Sequence, residues 1–215
     1  MVKLTTELIP ARLAGSRQLL IVLHGLGDSM EGFRWMPPML GLHALNILLV
    51  NAPDSYYGGY SWYAYPGDAQ PGVMRSRGLV TQLLADQKAA GFPPEQTFLF
   101  GFSQGCLMTL ETGLRHHDRL AGLIGISGYV LDAPTLVSEL SEAGRGQKVL
   151  WTHGRHDPLI PFDGVQQQAE TLRKAGVAVE WQAFDKEHTI AGETEIALIR
   201  RFIENNLRDS TRTAV

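Results

Sequence analysis

Short apolar segments alternate with longer stretches of helical periodicity along this chain, and that alternation limits the folds open to it. The apolar segments lie at 19–23, 47–50, 97–100, 120–126, 148–151 and 177–184. Several are rich in Val, Ile, Phe or Trp and are bounded by Gly, Asn or Pro, the composition of strands. Most are apolar at successive positions, as parallel strands covered on both faces must be. Candidate helices fill the intervals at 30–43, 73–90, 104–116, 162–175 and 192–207. Val165, Ala169 and Leu172 fall on one helical face, and so do Ile196, Ile199, Phe202, Ile203 and Leu207. Gly91 and Gly176 stand at helix-stop positions. This order predicts an α/β fold with a mostly parallel, doubly wound sheet flanked by helices. Thr5 to Leu8 is expected to add an edge strand. A length of 215 residues fits one domain, expected over 1–208, with 209–215 a disordered polar tail.

Composition removes several function classes. With 44% hydrophobic residues and a net charge of only −3, the chain is not of the disordered type. Its 19 Lys and Arg are spread rather than clustered, so no nucleic-acid partner is expected. One cysteine, Cys106, cannot form an internal disulfide and fits a reducing compartment. The N-terminus has no signal-peptide pattern, and the apolar run 19–23 is far shorter than the roughly 20 residues a membrane span needs. The expectation is a soluble, cytoplasmic protein.

The strongest local signal is Gly101-x-Ser103-x-Gly105, which follows the strand pattern at 97–100 and opens a helical one. A chain turning that sharply from strand to helix crowds the positions two before and two after the serine, so glycine suits both. The turn aims the Ser103 hydroxyl outward and sets it at a helix N-terminus, where N–H groups and the dipole favour negative charge. That is the arrangement of a nucleophile elbow. A serine nucleophile needs a base, and imidazole is suited to the task.

His188 follows the last strand and precedes the last helix, a loop on the same sheet edge as Ser103. His24 sits at a strand end beside Gly25, and His153 and His156 flank Arg155, where structural hydrogen bonding is the ordinary role. His43, His116 and His117 belong to helical patterns, without ligand spacing for a metal. Asp157, in the loop after the strand at 148–151, is the favoured acid. Asp132 is its main rival, and Asp185 and Glu187 are too close in sequence to His188 to aim back at the ring. The order Ser103, Asp157, His188 is that of an α/β-hydrolase.

An acyl-transfer site also needs oxyanion donors. The N–H of Gln104, just after the nucleophile, is one. The N–H of Leu26, in the loop His24-Gly-Leu-Gly-Asp28, is the other. That loop lacks the third glycine of a dinucleotide fingerprint, and no phosphate-loop motif occurs. Between Ser127 and Gln147 there is room for about one helix and no cap domain. The segment from Asn51 to Asp68 holds five of the six tyrosines and fits no regular element. Its Trp62 and Tyr63, together with Leu159 and Ile160, are expected to wall an apolar acyl groove.

These motifs resemble those of the phospholipase/carboxylesterase family, which includes acyl-protein thioesterases and small bacterial carboxylesterases. The matching patches are His24 to Asp28, Gly101 to Gly105, His156 to Pro161 and Glu187 to Ile190, with Pro53, Gly58-Gly59 and Trp62-Tyr63 resembling a further segment. The resemblance implies a compact α/β-hydrolase without cofactor that cleaves small acyl esters, with thioesters as a related substrate. It carries the nucleophile onto Ser103, the acid onto Asp157, the base onto His188 and the oxyanion donors onto Leu26 and Gln104. The chain departs from the family at Cys106, where a second glycine is usual. It also lacks the glycine often found just before the final histidine. Lysophospholipase or acyl-protein thioesterase activity is the alternative main role, and a non-catalytic binding protein on the same fold is the contrasting class.

Overall fold

The computed structural model describes residues 3–212. In chain order the elements are β1 (Thr6–Ile9), β2 (Gln18–Leu23), α1 (Met36–Leu40), β3 (Leu45–Val50), β4 (Asp54–Tyr56), β5 (Gly59–Ser61), α2 (Gln70–Ala89), β6 (Thr97–Phe102) and α3 (Gln104–Gly113). There follow β7 (Gly122–Ile126), α4 (Ala133–Ser138), α5 (Glu142–Arg145), β8 (Lys148–Gly154), α6 (Phe162–Lys174), β9 (Ala178–Phe184) and α7 (Gly192–Arg212).

Among the described residues seven strands form one sheet in the order β1-β3-β2-β6-β7-β8-β9. All pairings in it are parallel except that of β1 with β3; β1 is the edge strand expected near residues 5–8, and it runs antiparallel. The chain winds outward from β2 to β3, then returns to the other side of β2 with β6. The strand order therefore reverses between β2 and β6. In open parallel sheets the crevice for a ligand lies at the carboxyl ends of the strands flanking such a reversal. The loop beginning at His24 and the turn at Ser103 leave the sheet there.

Alternate residues of each strand serve opposite faces. Leu19, Ile21, Leu23, Leu99, Leu123 and Trp151 pack with residues of α2, α3 and α6. Leu20, Val22, Phe98, Phe100, Ile124 and Leu150 pack with residues of α1 and α7. Two buried faces account for the unbroken apolar runs in the sequence. All of α3 is buried, including Thr109 and Glu111, so the nucleophile turn rests on the most enclosed helix.

Local chemistry corrects several expectations. The helix expected at 30–43 is a 3-10 turn, Met30–Phe33, followed by the short α1. Pro37 and Pro38 donate no N–H and fit only the first turn, so α1 begins there, and Gly41 ends it at φ 64°. The tyrosine-rich segment contains a two-stranded hairpin, β4 with β5. Two short helices, α4 and α5, occupy the stretch that was expected to hold one. The tail expected from 209 is helical as far as Arg212, while 213–215 lie outside the described residues. Among the described residues no helix is long and apolar enough to cross a membrane.

Ile47 on β3 is 2% exposed, whereas Met74 on α2 is 57% exposed. Ile47→Ala is expected to lower unfolding stability by about 2–5 kcal/mol and Met74→Ala to change it by less than about 0.5 kcal/mol. Urea denaturation of the two variants checks the assignment, and equal losses would contradict it.

Candidate active site

Ser103 sits between β6 and α3 with φ 54° and ψ −116°, a conformation rare for a residue with a side chain. Its neighbours enforce it. A Cβ on Gly101 would lie 2.0 Å from the Gly105 carbonyl oxygen, and one on Gly105 would lie 2.1 Å from that of Leu23. Backbone cannot yield to such overlaps as a flexible side chain can, so both positions require glycine. The Ser103 N–H donates to the Ile126 carbonyl at 2.9 Å, so strand-like bonding continues up to the nucleophile position.

The side chains expected to cooperate meet. His188 Nε2 lies 2.9 Å from Ser103 Oγ, and His188 Nδ1 lies 2.7 Å from Asp157 Oδ2. With the Nδ1–H donating to the carboxylate, Nε2 is left to accept from the serine hydroxyl. The second oxygen of Asp157 accepts the Leu159 and Ile160 N–H groups, each at 2.9 Å. Burial would raise the Asp157 pKa. The bond from His188 and these two N–H donors together outweigh it and hold the carboxyl below its ordinary range. Asp132, the rival acid, instead caps α4 by accepting from the Thr135 N–H at 2.8 Å. Asp185 and Glu187 are exposed.

The loop after β2 lies against the nucleophile. A Cβ on Gly25 would meet the Phe102 ring at 3.1 Å and the Ser103 Cβ at 3.3 Å. His24 pins this loop from beneath. It is fully buried, its Nε2 accepts the Ala52 N–H at 3.0 Å, and its Nδ1–H therefore donates to the Gly25 carbonyl at 2.6 Å. The loop is stapled to the hairpin as well, through Gly27 N–H to Tyr60 O and Tyr60 N–H to Asp28 O, both 2.9 Å.

A cavity of about 540 Å³ opens beside Ser103, reached by Leu26, Gln104 and His188 and walled by Tyr63, Phe102, Tyr129 and Leu159. Tyr63 and Leu159 are where the sequence suggested. Trp62 is not: it is fully buried and does not line the cavity, because its indole N–H is spent on the His24 carbonyl at 2.9 Å. Gln104 has a function that its sequence position did not reveal. Its side-chain oxygen accepts the Trp62 N–H at 2.9 Å and its amide donates to the Tyr63 carbonyl at 3.1 Å, so it ties the aromatic segment to the nucleophile turn. Tyr129, whose hydroxyl lies 3.3 Å from that of Tyr63, was also missed. Its signal was its place just past β7, on the same edge as Ser103.

His116, His117 and Asp118 bring potential metal-ligating atoms within 4.8 Å of one another beyond the far end of α3. Lys88 already donates to Asp118 there at 2.6 Å. None of the three lines the cavity.

The model of the family described as Phospholipase/Carboxylesterase matches residues 6–207. The chain belongs to this family. It is 28% identical to "Acyl-protein thioesterase 1" of Yarrowia lipolytica, over 94% of this chain and 96% of the relative. It is 27% identical to "Carboxylesterase SOBER1" of Arabidopsis thaliana, over 93% and 95%. Among solved structures it is similar to esterase PE8, with a TM-score of 0.86 and 26% identity over 95% of this chain and 99% of that one. The sheet order and these likenesses establish the α/β-hydrolase fold expected for the phospholipase/carboxylesterase family.

Burial lowers the pKa of both His24 and His153, so each is neutral in the folded protein where the unfolded chain would bind a proton. Below the ordinary value of 6.5 the unfolded state takes up protons that the folded state refuses. Stability therefore falls with pH, by up to about 1.4 kcal/mol per unit and per histidine. Thermal melts between about pH 7 and pH 5.5, where ordinary carboxylates stay ionised, should show a falling Tm. An unchanged Tm would contradict the assignment.

Proposed function

We propose that this protein is a serine hydrolase that cleaves carboxylic esters of apolar acyl groups through an acyl-enzyme on Ser103, and that thioesters are turned over by the same steps. The observation that carries the reading is the continuous hydrogen-bonded line Asp157–His188–Ser103, at 2.7 and 2.9 Å. A binding protein on this fold has no need of such a line, which disfavours the non-catalytic alternative.

The substrate acyl chain occupies the cavity between Tyr63, Tyr129 and Leu159, which brings the carbonyl carbon to Ser103 Oγ. As Oγ attacks, His188 Nε2 takes its proton, and the ionised Asp157 stabilises the imidazolium and fixes its tautomer. The carbonyl oxygen gains negative charge and is met by the N–H groups of Leu26 and Gln104 and by the positive end of α3. His188 then returns the proton to the leaving alcohol or thiol as the carbonyl re-forms. A water repeats the sequence on the acyl-enzyme and releases the acid.

The names of the relatives, thioesterase and carboxylesterase alike, support both leaving groups. Acyl-protein thioesterase activity is therefore the second reading. We also assign the protein to the cytoplasm, a reading supported by its single cysteine, which forms no disulfide.

A chain-length series of p-nitrophenyl esters beside one acyl thioester, with Ser103→Ala as the blank, tests the reading. Turnover by the unaltered protein and a fall in kcat of about 10⁴–10⁶ in the variant are expected. Retained turnover in Ser103→Ala would remove Ser103 from the mechanism.

A further inference from the structure

The hydrolase reading needs the His188 ring held on line between two partners, yet His188 sits in the irregular segment 185–191 between β9 and α7. Immediately before the histidine stand Lys186 and Glu187. Lys186 is not a solvated surface charge. It is 6% exposed, and its ammonium donates to both carboxylate oxygens of Glu195, at 2.7 and 2.8 Å. Glu195 is itself fully buried, in the first turn of α7.

Two more donors converge on the same carboxylate. The Ala191 N–H donates to Oε2, and the Thr152 hydroxyl donates to Oε1. Residues 186 and 191 flank His188 by two and three positions, and Thr152 lies on β8, five residues before Asp157. One carboxylate thus joins both shoulders of the base segment to the strand that delivers the acid. The two segments also touch through backbone. A Cβ on Gly154 would lie 2.4 Å from the Lys186 carbonyl oxygen, and the His156 N–H donates to that oxygen at 3.1 Å.

We propose that Glu195, with Lys186 and Thr152, is a positioning clamp for His188 in the proposed reaction, setting where the imidazole stands relative to Ser103 and Asp157. The Coulomb attraction of a buried pair about offsets the cost of removing both charges from water, so stability alone gives it little consequence. Its effect is geometric. All four bonds require an acceptor, and Glu195 supplies two ionised oxygens, each used twice. An amide in its place has one acceptor oxygen and turns N–H groups toward the remaining donors.

The clamp is tested with Glu195→Gln and with the paired variant Lys186→Met/Glu195→Met, which leaves no lone buried charge and so guards against simple misfolding. Ile47→Ala serves as a control that loses core packing far from the segment. All are assayed well below their melting temperatures. For both clamp variants kcat should fall roughly ten- to a hundredfold while KM changes by less than about twofold, whereas Ile47→Ala keeps the wild-type kcat. In parallel, the far-downfield proton resonance of the His188 Nδ1–H should be lost or broadened in the clamp variants and kept in the control. Wild-type kcat and an intact resonance in the folded paired variant would overturn the clamp. If the unaltered protein turned over no ester, the hydrolase reading would fail instead, and the resonance would judge the clamp by itself.

Discussion

The backbone of Ser103 is held at a positive φ that a serine does not adopt unaided, and the arrangement of the site follows from that constraint. The conformation persists because strand and helix are both fixed. β6 is paired on each side, by β2 and β7, and α3 is buried along its whole length. Glycines at 101 and 105 let the two elements approach to backbone contact. The hydroxyl then projects above the strand ends, where the loops after β8 and β9 can bring a carboxylate and an imidazole to it.

Much of this was legible in the sequence because each part is encoded locally. Unbroken apolar runs disclosed a sheet covered on both faces. Paired glycines around Ser103 disclosed the elbow, and chain order placed Asp157 and His188 in loops on the same edge. Where the reading failed, the deciding contact was distant in sequence. Trp62 was expected to wall the pocket because it lies in the irregular aromatic segment, but its N–H is satisfied by the His24 carbonyl, 38 residues away. The helix expected at 30–43 was shortened by Pro37 and Pro38, whose effect depends on their place in the turn rather than on apolar spacing. Nothing in the local sequence sets Glu195 apart. Only the fold shows that it is buried and meets donors from the base segment and from β8.

Burial sorts the polar groups around the site into distinct tasks. His24 is kept neutral and spends both ring nitrogens on backbone, which shapes the loop of Gly25 and Leu26. Asp157 remains ionised because donors outweigh its desolvation. Cys106, directly behind the elbow, has its thiol pKa pushed up by complete burial, so it packs against Gly125 and Gly128 rather than competing as a nucleophile. Gln104 links two requirements in one residue. Its backbone opens α3 beside the nucleophile, and its side chain holds the backbone of Trp62 and Tyr63, of which Tyr63 walls the cavity.

The central claim is that one point in space lies within reach of the Ser103 hydroxyl and of both proposed oxyanion donors. The most direct test is a crystal structure after reaction with an alkyl phosphonate ester, whose tetrahedral phosphorus mimics the intermediate. The account predicts a covalent bond to Ser103 Oγ, a phosphoryl oxygen within hydrogen-bond distance of the Leu26 and Gln104 N–H groups, and the alkyl chain against Tyr63 and Leu159. Attachment at another residue, or a phosphoryl oxygen turned away from both N–H groups, would contradict it.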